Sequence, residues 1–214
     1  MRRPLPSLRV RWTWNRSSAD PPPHKPGERC AFIDFCYGGE AENVCAARDG
    51  NRVDILFAFR ESNTRQAVYH IIEELKRAKL HNSQVWGDDG GGGRLMIDQM
   101  EELGWPIGRL RNEMTGLEPE AFSNAGSEIW YRAAELIAKK EVILPHDRIF
   151  FEQAINRGRE HTPQSKLRAE SKDDLRRRGV VSPDRADAVF SCLFVSALKP
   201  SFREVGIKFG NAFF

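Results

Sequence analysis

Between Cys30 and Arg60 the chain carries three β-rich stretches in succession, CAFIDF, NVCAAR and RVDILFAFR, with turn signals between them. The Asp49-Gly50-Asn51 group is a tight hairpin signal, because such turns need residues tolerant of positive φ. YGGEAEN supplies the other turn. The three strands therefore form an antiparallel meander. A chain that opens its core this way must bury a sheet face against later elements.

Those later elements alternate between helix and strand. Val68, Ile71, Ile72, Leu75 and Leu80 recur near helical spacing, with Ser62 or Asn63 available as the cap. SQVWGDD reads as a short strand, 94–103 as a helix ended by Gly104, and 107–110 as another short strand. The stretch RNEMTGLEPEAFSN has no clear period. Residues 128–140 and 146–156 read as helices, 164–169 as a strand or hairpin, and SKDDLRRRG as a short charged helix closed by Gly179. Ser182-Pro183 opens a final helix to about Leu198, since serine caps and proline suits the first turn. The pattern is α/β.

The 214 residues suffice for one domain with extensions, and 40% hydrophobic with 29% charged residues reads as soluble and globular. No apolar run reaches the roughly 18 residues of a membrane span. The N-terminus lacks a continuous apolar segment, so no signal peptide is expected. Cys30, Cys36, Cys45 and Cys192 show no metal-ligand spacing and read as reduced core residues of a cytosolic protein. The sequence divides into a basic, proline-rich arm (1–28), one domain (29–200) and a tail (201–214).

Net charge is only +3, but it is unevenly placed. Residues 1–29 hold seven Lys/Arg against two Asp/Glu, and residues 157–178 hold eight against four. Basic segments around an acidic centre suit a polyanion whose chemistry needs metals. Both segments are expected to flank that centre and contact phosphates.

The acidic centre has three parts. Asp34 lies in an apolar strand between Ile33 and Phe35, where a charge is costly unless it is paired or holds a metal. Asp88 and Asp89 end another strand before four glycines, and ligands of open α/β sheets bind at the carboxyl ends of strands. Asp184 and Asp187 share one face of the last helix. Each has an ordinary explanation: an outward strand aspartate, a turn aspartate, and, for Asp184, a favourable meeting with the helix dipole. Together they form a strand–strand–helix carboxylate set, which hard divalent cations require. Bunched carboxylates repel one another when no ion is present, so neutralising one is expected to stabilise the metal-free protein.

At these residues the sequence resembles the nuclease domain of phage terminase large subunits. FIDFCYGGEAENVCAARDGNRV looks like its first motif, WGDDGGGGRLMIDQM its second, and AESKDDLRRRGVVSPDRADAVFSCLF its third, covering about 29–198. The resemblance implies an RNase H-like fold, a mixed β-sheet flanked by helices. It also implies a two-metal endonuclease, using Mg²⁺ or Mn²⁺, that cuts concatemeric double-stranded DNA during packaging. By motif position, Asp34, Asp88 and Asp187 would be the metal ligands. Asp88 is preferred to Asp89 because it keeps the family's distance to Asp98, and Asp184 would be auxiliary. Glu40 and Lys172 also fall in matching motifs.

Large terminase subunits also carry a packaging ATPase, and nothing here matches GxxxxGK[ST]. The chain is then expected to be an excised domain, a prophage remnant, or a protein that acts with a separate ATPase, a small terminase subunit and a portal, in the cytoplasm of a bacterial host and phage or prophage encoded. The alternatives are a RuvC-like junction resolvase and a non-catalytic DNA-binding or docking remnant.

Overall fold

The computed structural model of the chain describes residues 10–11, 21–36 and 41–197, of which 10–11 and 196–197 are described as backbone alone. The meander is present as β2 (Arg29–Asp34), β3 (Asn43–Asp49) and β4 (Arg52–Phe59), preceded by a short β1 (Val10–Arg11). Antiparallel pairs β2–β3 and β3–β4 form one half of a five-stranded sheet. Helix α1 (Thr64–Arg77) leads to β5 (Val85–Asp88), and α2 (Gly93–Glu102) leads to β6 (Gly108–Leu110). Both new strands add in parallel on the free side of β2, giving the order β4-β3-β2-β5-β6.

The remaining helices are α3 (Ala125–Ala138), α4 (Arg148–Asn156), α5 (Lys172–Arg177) and α6 (Asp184–Ala197). Between α4 and α5 lie β7 (Gly158–His161) and β8 (Leu167–Ala169), which form a second sheet with β1 in the order β1-β7-β8. The expected strand at 164–169 is thus the second arm of a hairpin that starts earlier. Helix α3 also starts three residues sooner than its apolar period suggests, because Asn124 caps it by accepting from Ser127 N at 2.8 Å. Asn63 caps α1 in the same way.

Alternation along the strands builds two cores. Cys30 and Phe32 of β2 and Trp86 of β5 pack with α3, α4 and α6. Ala31 and Ile33 of β2 and Val85 of β5 pack with α1 and α2. All four cysteines are free and buried, as core residues. Because side chains alternate across a strand, Asp34 and Asp88 belong to the face that α6 covers, and Asp89 to the other.

Two glycines are fixed by close approaches. Gly50 takes φ +56° in the β3–β4 turn, and a Cβ there would lie 1.8 Å from the carbonyl oxygen of Lys25. Gly93 opens α2 so near β5 that a Cβ would lie 2.0 Å from the carbonyl oxygen of Asp88. Within the glycine run after Asp88, Gly93 is therefore required by the tight strand-to-helix turn.

Candidate functional site

The parallel register between β2 and β5 pairs Phe32 with Trp86 and Ile33 with Gly87. One step further along both strands stand Asp34 and Asp88. Helix α6 crosses this face and contributes Asp184 and Asp187, and all of Asp34, Asp184 and Asp187 are 5% exposed. The ammonium of Lys172, on the first turn of α5, lies 3.7 Å from Asp34 Oδ2 and 3.1 Å from Asp187 Oδ2. Those two oxygens are therefore no farther apart than the sum of these distances. The fold brings the strand–strand–helix set together around Lys172, with Asp34, Asp184 and Asp187 buried and Asp88 half-buried.

Each carboxylate is held differently. Asp187 Oδ1 accepts from Trp130 Nε1 at 2.8 Å and from an Arg157 guanidinium nitrogen at 2.7 Å. Asp88 Oδ1 accepts from Gly90 N at 2.9 Å, and Oδ2 from Asn112 Nδ2 at 2.8 Å. Asp184 Oδ2 accepts from Glu42 N at 3.1 Å, fastening the β2–β3 connection to α6. Asp34 Oδ2 and Asp187 Oδ2 are buried and accept no well-directed hydrogen bond. Among the described residues, the Lys172 ammonium is the cation that faces both.

Asp89 has another role. Its two oxygens pair with Arg109 and Arg111, each at 3.1 Å, and Arg109 also holds Asp98 and Glu101. It points into a surface ion network, as strand alternation requires. Glu40 lies outside the described residues.

The charges act on one another. Burial pushes the Asp34 carboxyl well above its ordinary range; Lys172 opposes this, and the charges of Asp187, Asp88 and Asp184 add to it. Burial also raises Asp88, against the Gly90 hydrogen bond and Lys172. Burial would raise Asp187 too, but Lys172, Arg157 and the Trp130 hydrogen bond prevail and hold it below the usual value. Lys172 is kept charged against its own desolvation by Asp34, Asp187 and Asp184.

Among the described residues no group of three His, Cys, Asp or Glu side chains stands ready to hold a metal ion. The donor chemistry nonetheless fits a hard divalent cation. Two buried carboxylate oxygens lack proper donors, and the cluster already draws one cationic side chain between them.

Three residues of the site escaped sequence reasoning. Asn112 falls in the aperiodic stretch after β6, where no pattern marks it. Trp130 reads as an apolar residue of α3, although a buried indole N–H requires an acceptor. Arg157 reads as one of a basic run suited to phosphate, yet it is buried, stacks 4.5 Å over the Trp130 ring and pairs with Asp187. In the same run Arg168 pairs with Glu160 and Arg178 with Glu170. Arg157 and Arg178 of this segment thus serve internal ion pairs, while Arg176 and Arg177 stay exposed on α5. The basic arm is described at Val10–Arg11, which pairs with Gly158–Arg159 of β7, and at residues 21–28, where Lys25 N donates to Asn51 Oδ1 at 2.8 Å.

No protein-family model and no curated protein sequence matches the chain. Solved structures do match in shape. The nuclease domain of the large terminase subunit gp2 of bacterial virus Sf6, a lysine-to-alanine variant with manganese and beta-thujaplicinol, superposes with a TM-score of 0.65 at 16% identity, covering 78% of this chain and 88% of that one. The large terminase nuclease from thermophilic phage G20c with bound magnesium gives 0.56 at 15% identity, covering 76% and 80%. The five-stranded mixed sheet and its flanking helices thus form the RNase H-like fold of large terminase nuclease domains.

Proposed function

We propose that this protein is a divalent-metal-dependent DNA endonuclease of the large terminase type, cleaving concatemeric phage DNA during packaging. One observation carries the reading. Four carboxylates, three buried and one half-buried, from two parallel strand ends and one helix act on one another, and the Lys172 ammonium is the cation set between Asp34 Oδ2 and Asp187 Oδ2. The fold is shared with terminase nucleases whose structures contain manganese or magnesium.

Asp34, Asp88 and Asp187 are the proposed ligands of two Mg²⁺ or Mn²⁺ ions. When bound, such ions neutralise charge on the attacking and leaving oxygens of a phosphodiester and make a water more acidic. The chain's own residues prepare the site. Gly90 and Asn112 fix the rotation of the Asp88 carboxyl, and Arg157 and Trp130 fix that of Asp187. Asp184 ties the β2–β3 connection to the site and adds negative charge to it. Lys172 balances the carboxylates of the metal-free protein.

Double-stranded DNA is the proposed substrate. The packaging machine proposed around it also contains a P-loop ATPase activity, a small terminase subunit and a portal, in a bacterial host. The test is plasmid nicking with and without Mn²⁺. Metal-dependent cleavage without preference for branched DNA supports the reading. Cleavage only at junctions would replace it with a resolvase, and no cleavage with a DNA-binding remnant.

A further inference from the structure

We propose that Arg157 is a positioning residue that locks the Asp187 carboxylate so that a single oxygen, Oδ2, is presented to the metals; the inference rests on the nuclease reading above. The guanidinium reaches in two directions. Its terminal nitrogen donates to Asp187 Oδ1 at 2.7 Å, and its Nε donates to the backbone carbonyl of Glu170 at 2.8 Å. Trp130 donates to the same Asp187 oxygen and lies beneath the guanidinium, so the fork is held in plane.

The anchor behind this fork is itself buried. Glu170 is 1% exposed, and one of its carboxylate oxygens accepts from Gly158 N at 2.7 Å. Arg178 donates to both oxygens, each at 2.8 Å. Glu170 therefore joins the start of β7, next to Arg157, to the segment that enters α5 and carries Lys172. Arg157, on Asp187 Oδ1, is thus held by the Glu170 backbone carbonyl, and the Glu170 carboxylate pins the neighbouring Gly158 N and Arg178. Oδ1 takes the donors from Arg157 and Trp130, and among the described residues Oδ2 meets only the Lys172 ammonium, at 3.1 Å. Partners of this kind orient metal ligands, and their loss typically costs roughly 10- to 100-fold in metal affinity or activity.

A lysine at position 157 keeps the positive charge but has no planar fork to span Asp187 and Glu170. Arg157→Lys therefore separates positioning from charge. Trp130→Phe removes the second donor to Oδ1 while keeping an aromatic ring under the guanidinium. The experiment titrates Mn²⁺ by electron paramagnetic resonance against the full chain and both variants, alongside steady-state nicking and thermal melts.

Arg157→Lys is expected to weaken Mn²⁺ binding and lower kcat by roughly 10- to 100-fold, with KM for DNA unchanged, because Arg157 is buried. Trp130→Phe is expected to show a smaller loss of the same kind. Wild-type Mn²⁺ affinity and kcat in Arg157→Lys would overturn the inference. So would a raised KM at unchanged metal affinity, which is the mark of a phosphate contact. If Arg157→Lys does not melt cooperatively, Trp130→Phe decides, and wild-type affinity there overturns the inference. A wild-type protein that binds Mn²⁺ but cuts no DNA would sink the nuclease reading alone, since the affinity comparison still stands. One that binds no Mn²⁺ overturns both.

Discussion

The ammonium of Lys172 lies 3.1 Å from Oδ2 of Asp187, on the one oxygen of that carboxylate that Arg157 and Trp130 leave open. In the metal-free protein this contact, with the one to Asp34, supplies positive charge between buried carboxylates. Replacing Lys172 with methionine keeps the apolar stem and removes the charge. The metal-free variant should lose about 1–3 kcal/mol, less than a fully buried pair because Lys172 is partly exposed. Mn²⁺ should then raise its melting temperature more than it raises that of the wild type. Equal Mn²⁺ shifts in the two proteins would contradict the account.

Asp34 lends itself to a pH experiment. Its folded pKa is raised well above the ordinary 3.8, chiefly by burial. Such a group stabilises the fold fully below its unfolded pKa, and that contribution is lost as pH rises through the folded value. Asp187 has the opposite sign: its pKa is lowered, so its contribution is present above the ordinary range and lost on acidification. Asp34→Asn should therefore gain stability relative to wild type as pH rises from about 4. A difference in melting temperature that stays constant with pH would refute the assignment.

Asp187→Asn should abolish Mn²⁺-dependent nicking, and Asp184→Asn should reduce it less. Simple repulsion between bunched aspartates predicts that neutralising either stabilises the metal-free protein. The structure reverses that expectation for Asp187, whose charge is satisfied by Arg157, Lys172 and Trp130. Its loss leaves a buried arginine without its counter-charge and should cost about 3 kcal/mol. Asp34→Asn is the variant in which relief of repulsion should appear. Nicking assays and thermal melts on the three variants check both orders.

The turn after Asp88 offers a steric test. A methyl group on Gly93 would meet the Asp88 carbonyl oxygen at 2.0 Å. Gly93→Ala should therefore destabilise the protein by about 1–3 kcal/mol and disturb the Asp88 side of the site. Gly91→Ala serves as the local comparison: a Cβ there meets nothing within 4 Å, although φ +52° carries its own strain. A wild-type melting temperature and nicking rate in Gly93→Ala would contradict the close approach.

Much of this arrangement was legible in the sequence, because local patterns encode it. The meander declares itself through β-rich runs and the Asp49-Gly50-Asn51 turn. The last helix declares itself through Ser182-Pro183. Asp88 stands out from Asp89 in the sequence only through the resemblance; alternation separates them once the structure puts Trp86 on the face under α6. The second sheet was not legible, since β1 is two residues long and its partner Arg159 lies far along the chain. Arg157 was not legible either. An arginine in a basic run looks solvated, and only tertiary contacts to Asp187, Glu170 and Trp130 make its burial tolerable.

The central claim is that Asp34, Asp88 and Asp187 are ligands to shared divalent ions. A crystal of the protein soaked in Mn²⁺, with anomalous scattering collected at the manganese edge, measures this directly. The account predicts anomalous density in contact with all three carboxylates, with the Lys172 ammonium displaced from Asp187 Oδ2. Density only at other sites, or none while Lys172 keeps both of its ion pairs, would contradict it.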